Sequence, residues 1–408
     1  MNGPALLRLA LRNVFRHKLR SGMTLAAIVI GVVSLILTAG FVKDIYVQLA
    51  EALIRSQSGH LQISRPGFLD EGTRKPDQFL IEDPQPVRQQ VEAMAGVDDV
   101  MARISFSGLL GNGRTELAVV GEGIEPDREA RLGTYLRIKA GRRLADEDRH
   151  GALVGDGVAT TLGLKPGDPV TLLVSTADGA LNSIELDVVG VFQSFSKDFD
   201  ARAVRIPLED AQSALDTAGV NTIVVALKDT ASTGQYAALL RGQLDRGRFD
   251  VKAWNELSDF YEKTVDLYDR QFGVLRLIIL LMVLLSVANS VNMTAMERVG
   301  EFGTMMALGN RRRQTFALLV AEGATLGLIG SALGVALGIA LAIGISAIGI
   351  PMPPPPNSDL AYTAQIRIVP SEIALAFVIG LTATVAASVL PAWRATRTPL
   401  VDALRQNA

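Results

Sequence analysis

The chain has 408 residues, of which 49% are hydrophobic and only 20% charged, against about 25% charged in an ordinary soluble protein, and its mean hydropathy is +0.28. That composition argues for a membrane protein, and 40 Lys and Arg against 42 Asp and Glu, a net charge of -2, leave no basic surplus to neutralise a nucleic-acid backbone. Cysteine is absent and histidine occurs only at His17, His60 and His150, which excludes disulfides, thiol nucleophiles, Cys-type zinc sites and the HExxH metalloprotease pattern.

Residues 1–21 carry Arg8, Arg12, Arg16, Lys18 and Arg20 and no acid, and are predicted to form a cytoplasmic amphipathic segment. Gly22–Val42 is free of charge and, at about 1.5 Å per residue, long enough to cross about 30 Å of hydrocarbon; residues 22–42 are the first predicted transmembrane helix. Its apolar run exceeds the roughly 7–15 residues of a signal peptide, and Lys43-Asp44-Ile45 offers no clear small-residue cleavage site, so the span is expected to remain.

Residues 43–276 have the composition of a soluble α+β domain, which without disulfides must be stable through a core of its own. Ile45–Ser56 has helical apolar spacing and continues the first span outward. Leu257, Tyr261, Val265, Tyr268, Phe272 and Leu275 recur at three- and four-residue steps and run a second helix into the next span. Either stripe alone reads equally well as core packing; continuity with the spans favours a two-helix stalk. Between them, Arg103–Leu110, Glu116–Gly121, Val170–Ser175, Ile184–Phe192 and Thr222–Leu227 read as strands. In Leu162–Asp168, Pro166 and Gly167 fit the two central positions of a type II turn.

A charge-free run over residues 277–296 is the second predicted span, followed by a short segment over 297–315. Residues 316–350 make the third, charge-free from Gly323; at about 52 Å if wholly helical it is longer than a bilayer needs, so its start is expected to lie along the interface. Gly330, Gly334 and Gly338 stand four apart on it, the spacing that lets helix backbones approach closely. Glu322, just before the run, reads better as a solvated interfacial carboxylate than as a partner for an arginine of the preceding segment. An outer loop over 351–370 contains Pro353–Pro356, expected to be a stiff polyproline-II spacer. Residues 371–393 form the fourth span and 394–408 a cytoplasmic tail.

The fold class is thus an α-helical membrane protein with four transmembrane helices (1 + 3) and a large α+β extracytoplasmic domain between helices 1 and 2. Basic residues set its orientation: the first 21 residues, Arg298 with Arg311–Arg313, and Arg394, Arg397 and Arg405 all fall on one side, which places both termini in the cytoplasm. The charge-free runs hold no ionisable group, which disfavours a secondary transporter. No GxxxxGK[ST] pattern occurs, so no P-loop is expected on this chain. A stand-alone membrane enzyme is disfavoured as well, for want of a nucleophile and base or a metal cluster.

Three segments carry a family resemblance. Met296–Arg313 (MERVGEFGTMMALGNRRR) resembles the signature of the FtsX-like permeases; Ala10–Ser21 (ALRNVFRHKLRS) and Leu390–Arg405 (LPAWRATRTPLVDALR) resemble the opening and close of MacB-type permeases; Leu162–Asp168 and Ile206–Gln212 are similar to the MacB-type periplasmic core. The resemblance implies a permease subunit of an ABC transporter of the MacB and lipoprotein-releasing (LolC/LolE-like) class. It implies a bacterial inner-membrane location, with the large domain periplasmic. No catalytic, cofactor or metal residue is implied on this chain, because ATP and Mg belong to a separate P-loop ABC ATPase. A second permease, the same or a related chain, and a lipoprotein or periplasmic partner are also implied.

By the family pattern the segment after the second span couples to the ATPase through Glu297, Arg298, Glu301, Phe302, Met305, Met306, Leu308, Gly309 and Arg311, with Phe302, Met305, Met306 and Leu308 presenting an apolar face. The expected function is transmission of ATPase motion to the extracytoplasmic domain, extracting or exporting lipoprotein or other amphipathic cargo. Alternatives are a signalling subunit that activates a cell-wall hydrolase and a peptide or antibiotic efflux permease.

Overall fold

The computed structural model describes residues 12–13, 18–72, 76–176, 178–353 and 361–397. The expected basic segment at the start, most of the four-proline run and the tail beyond Arg397 lie largely outside the described residues. Two compact units emerge: one of residues 1–46, 264–351 and 363–408, the other of residues 47–263 and 352–362.

The elements are, in chain order, α1 (Lys18–Leu53), β1 (Leu61–Ser64), α2 (Gln85–Glu92), β2 (Val97–Gly111), β3 (Glu116–Ile124), α3 (Pro126–Leu132), β4 (Arg137–Gly141), β5 (Gly151–Gly155), α4 (Asp156–Leu162), β6 (Pro169–Ser175), β7 (Leu181–Gln193), β8 (Ala203–Pro207), α5 (Leu208–Leu215), β9 (Thr222–Leu227), α6 (Thr233–Gln243), β10 (Asp250–Ala253), α7 (Asp259–Glu297), α8 (Val299–Ala307), α9 (Arg312–Ile348), β11 (Ile350–Met352), β12 (Tyr362–Ala364) and α10 (Pro370–Ala395).

The sheet unit is built on one mixed sheet in the order β10-β1-β9-β2-β3-β8-β5-β7-β4, with β6 pairing β2 and β7. The long strand β2 belongs to both of its main cores. Its first half, with β1, β9 and β10, is covered by Val87 and Val91 of α2 and by Ala237 and Leu240 of α6. Its second half, with β3 and β5–β8, is covered by Val158 and Leu162 of α4 and by Ala211 and Leu215 of α5. All five strand-like stretches of the sequence lie in strands. The turn after α4 has Gly167 at φ 94°, and the Asp168 N–H donates to the Lys165 carbonyl at 3.1 Å, as a type II turn requires.

A single helical turn, Lys197–Asp200, precedes β8 and buries Asp200, both of whose carboxylate oxygens accept from the Ser194 N–H (3.0 and 2.9 Å). Burial pushes this carboxyl up to about 6 from 3.8, against the pull of the Ser194 hydrogen bonds. A carboxyl that holds its proton more tightly when folded contributes less stability as that proton leaves. The thermal midpoint of the full chain is therefore expected to fall, through this group, as pH rises from about 4 to above 6. Asp200→Asn should flatten that part of the curve; an unchanged slope would show that Asp200 does not titrate there.

Among the described residues, the helical unit contains four helices long and apolar enough to cross a membrane. Helix α1 ends in a π-helical turn, Ile54–Ser58, and α7 is one uninterrupted helix of 39 residues. The third predicted span needs adjustment: α9 starts at Arg312 and stops at Ile348, where Gly349 takes φ 75° and the chain turns into a short strand. No break marks the expected interfacial start at Phe316. In the loop that follows, β11 and β12 pair as a ribbon, and Arg367 of the same loop donates Nε to buried Asp44 of α1 at 2.8 Å. The Gln365 N–H donates to the same carboxylate at 2.8 Å, and the Ile366 N–H donates to Ser346 Oγ of α9 at 2.9 Å.

Candidate functional site

Helix α7 ends before Arg298 (φ -102°, ψ 10°), and the chain restarts as the nine-residue helix α8. Gly309 ends α8 with φ 100°, and the Asn310 N–H reaches back to the Met305 carbonyl at 3.0 Å, a closure that favours glycine because no Cβ resists the left-handed backbone. The Arg311 N–H donates to Gln314 Oε1 at 2.9 Å and opens α9. A short helix is thereby held between two long apolar ones by local backbone chemistry.

Arg298 is buried and works inward. Its Nη1 donates to Glu322 Oε1 and Oε2 (3.2 and 3.0 Å), its Nε to Glu301 Oε2 (2.9 Å), and its guanidinium lies 5.2 Å from the centre of the Phe302 ring. Glu322 also accepts from Asn13 Nδ2 at 2.6 Å. Glu322 is only 8% exposed, which overturns its reading as a solvated interfacial carboxylate: once paired with Arg298 and hydrogen-bonded twice over, its charge tolerates burial. A cavity of about 40 Å³ beside the pair is lined by Ser21, Thr24, Ser290 and Thr294, polar and roomy enough for water.

The expected apolar docking face divides. Phe302 is 1% exposed and packs on Ala295, Leu319, Ala392 and Ala395, with Met305 half-buried beside it; Phe302 and Arg298 root α8 in the helical unit and are not a surface. Leu308 is 84% exposed. Thr304, Ala307, Gly309, Arg311, Arg312 and Arg313 are exposed around it, Met306 is half-buried, and Glu297 is exposed at the end of α7. The surface is therefore one large, exposed apolar side chain beside three arginines.

The three glycines of α9 stand against α1. A Cβ at Gly330 would lie 2.8 Å from Ile28, one at Gly334 2.8 Å from Val32, and one at Gly338 3.0 Å from Ile36. A second small-residue seam escaped sequence reasoning: Gly323 and Gly327 of α9 meet Ser388 and Thr384 of α10, and Gly380 of α10 meets Ser331. Four-residue spacing on both helices was the available signal. For Glu322 the signal was a carboxylate at the very edge of a charge-free run.

Comparison with known proteins gives two family matches: the MacB-like periplasmic core domain over residues 21–243 and the FtsX-like permease C-terminal over residues 273–400. The macrolide export ATP-binding/permease protein MacB of Campylobacter jejuni is 26% identical over 343 residues, 80% of this chain and 52% of that protein. The chain thus spans about half the length of that relative. The lipoprotein-releasing system transmembrane protein LolC of Xylella fastidiosa is 22% identical over 444 residues, 99% of this chain and 100% of that one. Among solved structures, the periplasmic region of MacB from Actinobacillus actinomycetemcomitans matches 52% of this chain and 95% of that chain at 16% identity, with a TM-score of 0.36.

Proposed function

We propose that this chain, which belongs to the family with a MacB-like periplasmic core domain and also matches the FtsX-like permease C-terminal over residues 273–400, is the non-catalytic permease subunit of an ABC transporter. In this reading it lies in a bacterial inner membrane with both termini in the cytoplasm and the sheet unit in the periplasm. The observation that carries it is the construction of α8: Arg298 and Phe302 are buried as its root, while Leu308 and Arg311–Arg313 form an exposed rim. A P-loop ATPase, which holds ATP and Mg, docks on that rim, and its closure moves α8 together with the helices it is rooted in. A second permease, the same or a related chain, completes the complex.

The cargo in this reading is amphipathic or lipid-anchored and handled by the sheet unit. The charge-free spans offer a polar solute no path through the midplane, and the full-length match to a lipoprotein-releasing transmembrane protein supports the same class. The docking surface is tested by Leu308→Glu combined with Arg312→Glu. Both positions are exposed, so the thermal midpoint should stay within about 0.5 kcal/mol of stability, while co-purification of the ATPase falls at least about tenfold, as expected for a desolvated anchor residue. Undiminished ATPase recovery would refute the docking surface. Mass spectrometry of the same material decides the cargo: a triacylated lipoprotein supports extraction, and a peptidoglycan hydrolase would replace it with signalling.

A further inference from the structure

The end of α1 is held in an unusual way. A helix leaves its last carbonyls without partners and carries its negative dipole end there. In the sheet unit two buried arginines meet those groups: Arg103 of β2 donates Nη1 to the Gln57 carbonyl, and Arg205 of β8 donates Nη2 to the Ser56 carbonyl at 3.1 Å. Each arginine is only 3% exposed.

Counter-charges sit on neighbouring elements. Glu129 of α3 takes Nε and Nη2 of Arg103, and Glu122 of β3, directly opposite Arg205 in the sheet register, takes its Nε at 2.9 Å. Two positive and two negative groups cancel, which makes their joint burial tolerable. Burial works to raise the Glu122 carboxyl, and the Arg205 and Arg103 charges hold it below the ordinary carboxylate range.

Further contacts grip the same end. The Arg205 guanidinium lies over the neighbouring rings of Phe192 and Phe199, at 5.7 and 5.8 Å from their centres. Phe195 packs on Leu49, Ala52 and Leu53 of α1. The turn Ile54–Ser58 is π-helical, a rare form that could absorb an axial displacement by rewinding, unless the carbonyls at its end are fixed.

We propose that Arg103 and Arg205 are positioning residues that lock the last turn of α1 to β2 and β8, so that displacement along α1 enters the sheet instead of being lost in the π turn. Helical carbonyls point along the helix axis, so the two guanidinium bonds are loaded by axial motion. The proposal rests on the transmission reading given above and locates where that motion enters the sheet unit.

The test uses the full chain in detergent with its co-purified ATPase. Arg103→Gln with Glu129→Gln removes a guanidinium and its counter-charge together. Arg205→Lys, which keeps the charge but cannot span Glu122 and the Ser56 carbonyl at once, is the second variant should the first fail to fold. Backbone amide exchange is followed over residues 54–60, β2 and β8, without nucleotide and with the ATPase trapped by ATP and vanadate. In the unsubstituted complex, trapping should alter exchange in residues 54–60 and in both strands. In the variants, residues 54–60 should exchange at least about tenfold faster, the expected loss for a charge-assisted hydrogen bond; β2 and β8 should keep their nucleotide-free protection but no longer respond to trapping. An undiminished strand response in the variants overturns the proposal and leaves the transmission reading standing, as does a general loss of strand protection, which would mark the arginines as merely structural. No response in the unsubstituted complex overturns the transmission reading and the proposal with it.

Discussion

Arg298→Ala is expected to destabilise the helical unit by about 3–5 kcal/mol, the usual cost of removing one partner of a buried ion pair. Among the described residues, the substitution leaves Glu322, 8% exposed, with Asn13 as its remaining donor in a low-dielectric site, and it also removes the Arg298 bond to Glu301 and the contact with the face of Phe302. Removing both charges is a different matter: Arg298→Met with Glu322→Met takes away the desolvation cost along with the attraction, and such exchanges are often neutral or stabilising. The double variant should therefore recover the thermal midpoint to within about 1–2 kcal/mol of the unsubstituted chain.

Coupling should not recover with it. The Arg298 guanidinium ties α8 to α9 and to residue Asn13 at once, through Glu301, Glu322 and the shared carboxylate, and two methionines supply packing without direction. In the double variant, stimulation of the proposed partner ATPase is expected to stay at least about tenfold below that of the unsubstituted chain, a coupling loss near 1–2 kcal/mol. Detergent thermal unfolding and ATPase rate, measured on the same preparations, separate the two effects. An Arg298→Ala chain that melts like the unsubstituted one would show that the pair is solvated after all; a double variant with full stimulation would reduce the pair to a structural contact.

What was legible in the sequence follows from how far each signal reaches. Charge-free runs such as Gly22–Val42 and Leu277–Met296 announce long helices because the pattern is local and extends over many turns, and α1 and α7 cover both. Strands with alternating burial, such as β6 and the first part of β7, were equally plain. Missed were β5 and β8, five residues each and buried throughout: so short a run has no alternation to read, and Arg205 disguises β8 as a surface. The strands β1, β4 and β10 are as short, and their identity depends on partners far away in the chain.

The same limit divided the segment after α7, read as the ATPase-coupling segment. Its motif and its position between two long apolar helices were legible, but apolar residues at 302, 305, 306 and 308 surround a helix. Phe302 and Leu308 lie six residues apart, about 120° around the axis, and cannot share a face. Which of them is buried is decided by Ala295, Leu319 and Ala392, contributed by three other helices. Glu322 was misread for the opposite reason: a carboxylate at the edge of an apolar run is solvated unless a cation arrives from elsewhere, and Arg298, 24 residues earlier in the chain, is that cation.

Gly334→Ala and Gly344→Ala are expected to act with opposite sign, although both replace a glycine of α9. At Gly344 nothing lies within 4 Å of the added Cβ, so alanine only reduces backbone freedom and should stabilise by up to about 1 kcal/mol. At Gly334 the Cβ would stand 2.8 Å from Val32 Cβ and 3.3 Å from the Val29 carbonyl. The obstacle is a branch point and a backbone atom, not the tip of a flexible side chain, so relief requires α1 and α9 to separate, at a cost of about 1–3 kcal/mol from overpacking. Gly338→Ala should be milder than Gly334→Ala, because its near neighbour is the Ile36 Cδ1 methyl at 3.0 Å, which can rotate away. Gly334→Val should exceed both, and Val32→Gly should partly rescue Gly334→Ala by removing the opposing Cβ. Thermal midpoints of the five variants in detergent provide the check. Equal effects at Gly334 and Gly344 would mean that α1 and α9 are not in close contact there. The ordering also bears on transmission, because α1 is the helix whose end Arg103 and Arg205 hold: a wedge at Gly334 shifts the shaft without touching α8 or the sheet unit. A Gly334→Ala chain that still folds should therefore bind the proposed partner ATPase normally while stimulation of that ATPase falls.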